Sequence, residues 1–163
     1  MIRVLFVCLG NICRSPMAEA VFKDLVKKEG LDEEITVDSA GIGHWHIGAE
    51  PHEGTRAILD DKSISYKGMS ARQVKESDWD DFDYLIAMDD KNIQDLKGIR
   101  EKNGVVVAKL LDYVPYSKEN EVPDPYFTGN FEYVYDLVHD GCFELLDKIK
   151  NDHNLKEDVY GTE

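Results

Sequence analysis

The sequence has 163 residues and a formal net charge of −14, which is enough chain for one domain with a hydrophobic core. An average surface this acidic would repel nucleic acid and anionic membranes, so we expect neither as a partner. No stretch approaches the roughly 20 apolar residues of a membrane span, and the chain starts on a strand pattern without the features of a signal peptide. The three cysteines form no disulfide ladder, so we expect a cytoplasmic protein. A monomer is our default expectation, since no sequence feature addresses the oligomeric state.

Strand and helix patterns alternate along the chain. Apolar, β-branched runs predict strands at residues 2–7, 34–38, 84–88 and 105–107. Apolar residues at helical spacing predict helices at 17–26, 51–61, 89–96 and 130–149, with 39–48 and 113–129 left as loops. The alternation predicts a single α/β domain over residues 1–150, with a doubly wound, four-stranded parallel sheet and helices on both faces. A polar tail is expected at 151–163.

The turn between the first strand and the first helix combines a thiol with a guanidinium. Cys8 and Arg14 have five residues between them, and Ser15 followed by Pro16 resembles a helix N-cap followed by proline at the first helical position. The unpaired amides of a helix start favour an anion. The helix start and Arg14 both stabilise a thiolate, and the guanidinium matches phosphate oxygens. A nucleophile inside such a cradle predicts phosphoryl transfer.

Two separate segments resemble one known family. Residues 7–16, VCLGNICRSP, resemble the signature loop of the low-molecular-weight protein tyrosine phosphatases, and residues 122–126, VPDPY, resemble the acid loop of that family. Between them, DSAG at 38–41, Trp45, ARQ at 71–73, FDY at 82–84 and MD at 88–89 also resemble the family in order, so the resemblance runs to about residue 149. It implies a four-stranded parallel sheet and the hydrolysis of protein phosphotyrosine through a phosphocysteine, with no metal or other cofactor.

The resemblance also implies residue roles. Cys8 is the nucleophile, Arg14 stabilises the phosphoryl group, and Asp124 is the general acid and base. The implied substrate-binding residues are Leu9, Gly10, Asn11, Ile12, Cys13, Ser15, Trp45, Tyr126 and Phe127. Within this set, the loop amides cradle the phosphate, Ser15 bonds to the Cys8 sulfur, Asn11 holds the loop, and the three aromatic residues wall a cleft for a phenyl ring. The acid role also makes sense by itself, since a phenolate leaving group needs a proton and two prolines fix the Asp124 loop.

The sequence departs from the family at two positions, of which one is Phe127, often tyrosine in relatives. Many members have a histidine two places before the ARQ element, where it braces the loop asparagine; here Met69 takes that place, so Asn11 needs another partner. Cys13 has two interpretations, a small packing residue or a thiol that traps oxidised Cys8 as a disulfide. The five histidines share no spacing, so we expect them to be surface or structural residues.

Three other functions are compatible with the loop. Protein arginine phosphatases share the fold, but they have threonine where this chain has Ile12, which with Leu9 makes an apolar floor suited to a phenyl ring. Arsenate reductases need two further cysteines close together, and here only Cys142 follows the loop. A non-catalytic phosphate-binding or redox module would have no use for Asp124. The physiological substrate protein, the pathway and any non-classical secretion stay open.

Overall fold

All four strands of the central sheet are parallel. The computed structural model describes residues 1–155, and its strands lie in the order β2-β1-β3-β4. Their bounds are β1 Ile2–Cys8, β2 Ile35–Gly41, β3 Tyr84–Ala87 and β4 Val106–Lys109. The predicted α/β fold with a four-stranded parallel sheet is confirmed.

Helices cover both faces of this sheet. They are α1 Arg14–Lys28, α2 Glu53–Asp61, α3 Asp78–Asp81, α4 Asp90–Ile99, α5 Pro125–Thr128 and α6 Phe131–His153, with a 3-10 turn at Leu110–Tyr113. Because side chains alternate along a strand, β1 contributes to two cores. Val4 and Phe6 pack with residues of α1, α2 and α6, whereas Leu5 and Val7 pack with residues of α3 and α4.

The second strand is longer than the sequence predicts. It continues to Gly41, because β1 and β2 stay in register as far as the pair Cys8 and Gly41. The segment Ser-Ala-Gly at 39–41 has little intrinsic strand preference, so sequence alone assigns it to the following loop. Pairing with β1 overrides that preference, and the predicted loop boundary at residue 39 is wrong.

The start of the first helix and the end of the last helix also differ from the predictions. Helix α1 begins at Arg14 with Cys13 as the N-cap residue, so the prediction of Ser15 as N-cap is wrong and its hydroxyl is available for another partner. The short helices α3 and α5 were not predicted. Helix α6 runs to His153, past the predicted end at 149, and Leu155 packs against the core. The proposed domain end at 150 therefore falls inside this helix, and 156–163 lie outside the described residues.

The strand order creates a crevice at one edge of the sheet. The chain leaves β1 towards β2 on one side, while β3 pairs with the other side of β1. Connections that diverge in this way leave space beyond the carboxyl ends of the two strands, where open α/β sheets bind their ligands. Within residues 1–155, no helix is long and apolar enough to cross a membrane.

Candidate functional site

The loop after β1 turns its carbonyl groups away from the crevice. The carbonyl oxygens of Cys8, Leu9 and Ile12 accept hydrogen bonds of 2.9, 2.8 and 2.7 Å from amides between β2 and α2. Among the described residues, the amides from Leu9 to Arg14 donate to no protein acceptor. Unpaired amides at the start of α1 are therefore available to an anionic ligand.

Asn11 holds this loop in its shape. Its backbone is left-handed, with φ of 57°, and its side chain makes three hydrogen bonds. Oδ1 accepts from the Arg72 amide at 3.0 Å, while Nδ2 donates to Ser15 Oγ at 2.8 Å and Ser39 Oγ at 2.9 Å. Ser39 Oγ in turn donates to Glu19 Oε1 at 2.6 Å. The side-chain amide of Asn11 is thus hydrogen-bonded to partners from α1, β2 and the segment after α2.

The same network reaches the thiol. Ser15 Oγ lies 3.0 Å from Cys8 Sγ. Since Ser15 Oγ already accepts from the Asn11 amide, its own hydrogen is available to donate to the sulfur. The two serines and the Arg72 amide replace the histidine brace expected from the family, and Met69 packs against the hydrophobic core instead.

Arg14 is buried and held by three groups. Only 3% of the residue is exposed. Nη1 donates to Asp89 Oδ2 at 2.7 Å and to the Val122 carbonyl at 2.9 Å, and Nη2 donates to Asp124 Oδ2 at 3.4 Å. Nε is buried with no partner among the described residues. Asp89 is itself fixed, because Oδ1 caps α4 by accepting from the Asn92 amide at 2.8 Å.

Asp124 comes from a loop that is distant in sequence from Cys8 and Arg14. The Val122 amide donates to the Met88 carbonyl at 2.9 Å, which docks the acid loop on the end of β3. Asp124 then caps the one-turn helix α5, with Oδ1 accepting from the Tyr126 amide at 3.1 Å. Its other carboxylate oxygen is the one that faces Arg14. A cap on one oxygen and an ion pair on the other fix the orientation of the carboxyl group.

A cleft of about 160 Å³ lies above the loop. It is lined by Cys8, Leu9, Gly10, Ile12, Cys13, Trp45, His46, Asp124, Tyr126 and Phe127. All of these except His46 were predicted as site residues. The other three predicted residues, Asn11, Arg14 and Ser15, are buried and do not line this cleft. Trp45 and Phe127 are 63% and 74% exposed, so they form the rim of the cleft rather than its floor.

Two residues near the cleft are not among the predicted site residues. The first is His46, for which the sequence predicts only a surface or structural role; its ring lies in the cleft wall, with its centroid 6.3 Å from that of Tyr126. A Cβ on Gly10 would lie 3.1 Å from His46 Cδ2, so glycine allows this close approach. The second missed residue is Asp89, the partner of Arg14. Both follow the carboxyl end of a strand, and that position was the available signal.

Burial makes Cys13 chemically different from an exposed thiol. It raises the pKa of Cys13 to about 12, with smaller contributions from the negative charges of Asp124 and Cys8. Cys13 therefore stays protonated near neutral pH. The three cysteines are free, and residues 1–155 contain no group of three or more His, Cys, Asp or Glu side chains that could hold a metal ion.

Known proteins resemble this chain over nearly its whole length. The family model described as low molecular weight phosphotyrosine protein phosphatase matches residues 3–155. The low molecular weight protein-tyrosine-phosphatase YfkJ of Bacillus subtilis is 58% identical over 156 residues, covering 95% of this chain and 100% of the relative. PtpA of Staphylococcus aureus, with the same description, is 46% identical over 157 residues, covering 96% and 99%.

Solved structures agree with the sequence comparisons. The crystal structure of YfkJ from Bacillus subtilis has a TM-score of 0.91 at 59% identity and covers 93% of this chain and 96% of that one. The crystal structure of a Drosophila arginine phosphatase has a TM-score of 0.83 at 34% identity and covers 90% and 97%. The fold is thus shared by relatives whose descriptions name two different phosphorylated residues.

Proposed function

This chain belongs to the low-molecular-weight protein tyrosine phosphatases, and from that premise we propose that Cys8, Arg14 and Asp124 hydrolyse protein phosphotyrosine in the cleft. The enzyme is a phosphoric monoester hydrolase. The observation that carries the residue assignment is the meeting of three groups distant in sequence: Cys8 and Asp124 line one cleft, and Arg14 lies 3.4 Å from the Asp124 carboxylate.

In the first step the Cys8 thiolate attacks phosphorus and the bond from phosphorus to the tyrosyl oxygen breaks. Asp124, as the carboxylic acid, gives its proton to that oxygen, and neutral tyrosine leaves. The loop amides and the Arg14 guanidinium hold the non-bridging oxygens. Phosphoryl transfer asks mainly for positioning and charge stabilisation, which a buried arginine fixed by Asp89 provides.

In the second step Asp124 is a carboxylate and takes a proton from water as the water attacks phosphorus. The bond between phosphorus and sulfur breaks, Cys8 leaves as a thiolate, and inorganic phosphate is released. The Ser15 hydroxyl, 3.0 Å from Sγ, donates a hydrogen bond to the departing sulfur and stabilises its charge. Asp124 returns to the acid form in which it began.

The test uses a tyrosine-phosphorylated peptide and p-nitrophenyl phosphate with the wild type, Cys8→Ser and Asp124→Ala. We expect no turnover by Cys8→Ser. Asp124→Ala should lose about 10²–10⁴ in rate on the peptide, whose leaving group needs a proton, and less on p-nitrophenyl phosphate. Equal losses on the two substrates would remove Asp124 from the acid role, and turnover by Cys8→Ser would remove Cys8 as nucleophile.

Phosphoarginine is the second candidate substrate, because a Drosophila arginine phosphatase shares the fold at 34% identity. Ile12 is the discriminating residue. It is 8% exposed and forms part of the cleft floor with Leu9, and this apolar surface suits a phenyl ring better than a charged guanidinium. We expect the wild type to prefer phosphotyrosine and Ile12→Thr to gain phosphoarginine turnover. Comparable wild-type turnover of the two substrates would refute tyrosine selectivity.

The partner is then a phosphotyrosine-containing protein. The exposed aromatic rim formed by Trp45, Tyr126 and Phe127 supports this, since it leaves room for a ring carried on a polypeptide. A cytoplasmic monomer is consistent with three free cysteines, because a reducing compartment keeps thiols reduced. Size-exclusion chromatography with light scattering tests the monomer, and fractionation of cells tests the compartment.

A further inference from the structure

The acid loop is approached through a segment with few regular contacts. This lead segment, residues 114–121, connects the 3-10 turn to Val122 and contains no helix or strand. Side-chain hydrogen bonds link it to the neighbouring helices, one of them from the Tyr116 hydroxyl to Glu144 Oε2 of α6 at 3.1 Å. Two glutamates in it reach in different directions, Glu119 to helix α6 and Glu121 to helix α4.

Glu119 is bound by the first turn of α6. The Tyr133 hydroxyl donates to Glu119 Oε2 at 2.5 Å, and this hydrogen bond is the main cause that raises the pKa of Tyr133. A tyrosine hydroxyl is protonated across the neutral range, so it can donate to Glu119 there. The Tyr133 amide donates to the Asn130 side chain at 3.2 Å, so the tyrosine stands on a capped helix start and offers a fixed anchor.

Glu121 is bound by the first residue of α4. Its Oε2 accepts from the Asp90 amide at 2.7 Å, one of the donors that a helix leaves unpaired at its N-terminus. A carboxylate is favoured there by the helix dipole. Lys109 Nζ lies 2.9 Å from Asp90 Oδ1 and offsets the like charge of Asp90. The next residue, Val122, is the one whose carbonyl accepts from Arg14.

We propose that Tyr133 and Glu121 are positioning residues for Asp124, holding the lead segment between α6 and α4 so that the Asp124 carboxyl group reaches the leaving-group oxygen. This rests on the proposed function, because it presupposes Asp124 as the general acid. Neither residue lines the cleft, so they act through the acid loop and not on the substrate. A displaced acid affects proton transfer and leaves the thiolate attack intact.

The readout is the dependence of kcat/KM on the leaving group, measured with phenyl phosphate and p-nitrophenyl phosphate. kcat/KM reports the first chemical step, in which the proton is given. Tyr133→Phe removes only the hydroxyl, and Glu121→Met removes only the carboxylate. One lost hydrogen bond at the surface corresponds to a roughly 3- to 10-fold fall on phenyl phosphate. On p-nitrophenyl phosphate, whose leaving group needs little proton donation, the change should stay within about twofold.

Two variants serve as matched controls. Tyr66 also donates its hydroxyl to a carboxylate, Asp60 Oδ2 at 3.1 Å, but in the segment after α2, so Tyr66→Phe should match the wild type on both substrates. Glu121→Gln keeps an oxygen that can accept from the Asp90 amide, and it should recover the activity that Glu121→Met loses. A merely structural effect would lower kcat/KM by the same factor on both substrates, and that result would overturn the proposal.

The acid variant separates failure of this inference from failure of the proposed function. If Asp124→Ala shows no added preference for p-nitrophenyl phosphate, Asp124 is not the acid and the proposed function itself fails. If Asp124→Ala shows that preference while Tyr133→Phe and Glu121→Met behave as wild type, only the positioning role is wrong. In the Asp124→Ala background, Tyr133→Phe should cause no further loss on phenyl phosphate.

Discussion

Replacing Asn11 by glycine and by alanine separates the two ways in which this residue supports the loop. Both changes remove the three side-chain hydrogen bonds and leave the Arg72 amide without its acceptor, at a cost of about 1–3 kcal/mol. Alanine adds a cost of about 1–2 kcal/mol for a left-handed backbone, because φ is 57° at this position. Glycine avoids that cost but gives up about 0.4–1 kcal/mol through the greater freedom of the unfolded chain.

The free energy of unfolding should therefore be lower for Asn11→Ala than for Asn11→Gly by about 1 kcal/mol. Equilibrium unfolding in urea measures the difference, and kcat/KM on p-nitrophenyl phosphate shows whether activity follows it. Since the loop that carries the strain also cradles the phosphate, Asn11→Gly should retain more activity than Asn11→Ala. Equal stability of the two variants would refute backbone strain at residue 11, and wild-type stability of both would refute the hydrogen-bond network as a support.

Three further predictions concern packing, redox chemistry and pH. A Cβ on Gly141 would lie 2.4 Å from Leu110 of the 3-10 turn, whereas a Cβ on Gly98 would meet nothing within 4 Å. Thermal unfolding should therefore show that Gly141→Ala destabilises the protein by about 1–3 kcal/mol. Gly98→Ala should stabilise it by up to about 1 kcal/mol. If Cys13 traps oxidised Cys8, peroxide-treated wild type should recover activity with dithiothreitol while Cys13→Ser should not, and equal recovery would argue against the disulfide. Hydrogen bonds from Arg100 and Lys102 lower the pKa of Asp80 from 3.8 to about 2. The Asp80 carboxylate therefore stabilises the fold above pH 3.8, and this stabilisation is lost as the pH falls towards 2. In urea unfolding, the difference in unfolding free energy between the wild type and Asp80→Asn should shrink over this pH range.

The sequence predicts the sheet from local pattern, and most of the cleft residues from the resemblance of short segments to the phosphatase family. The apolar run of β1, the helical face of α1 and the two loop motifs are each readable within about ten residues. The extension of β2 to Gly41 is not readable, because pairing with β1 creates it. The helix start at Arg14 was also missed, since Ser15 resembles a cap but its hydroxyl is used by Cys8.

The supporting residues were harder to predict than the residues in the cleft. Glu19, Ser39 and Asp89 act through contacts between elements that are distant in sequence. Ser39 and Asp89 stand in segments that resemble the family, but the sequence alone does not show which side chains they contact. Met69 in the sequence indicates only that the usual histidine is absent. The partners that take its place, two serines and one backbone amide, became visible only when the fold brought β2 and the segment after α2 to the loop.

The central claim is that the phosphoryl group is bound covalently to the Cys8 sulfur before water releases it as phosphate. The most direct measurement is peptide mass spectrometry of the wild type after acid quench during turnover of excess p-nitrophenyl phosphate. A phosphoryl group on the peptide that contains Cys8, localised to that side chain and matching in amount the burst of p-nitrophenol, is the predicted result. A phosphoryl group on a different side chain of the cleft, such as His46 or Cys13, would contradict the account.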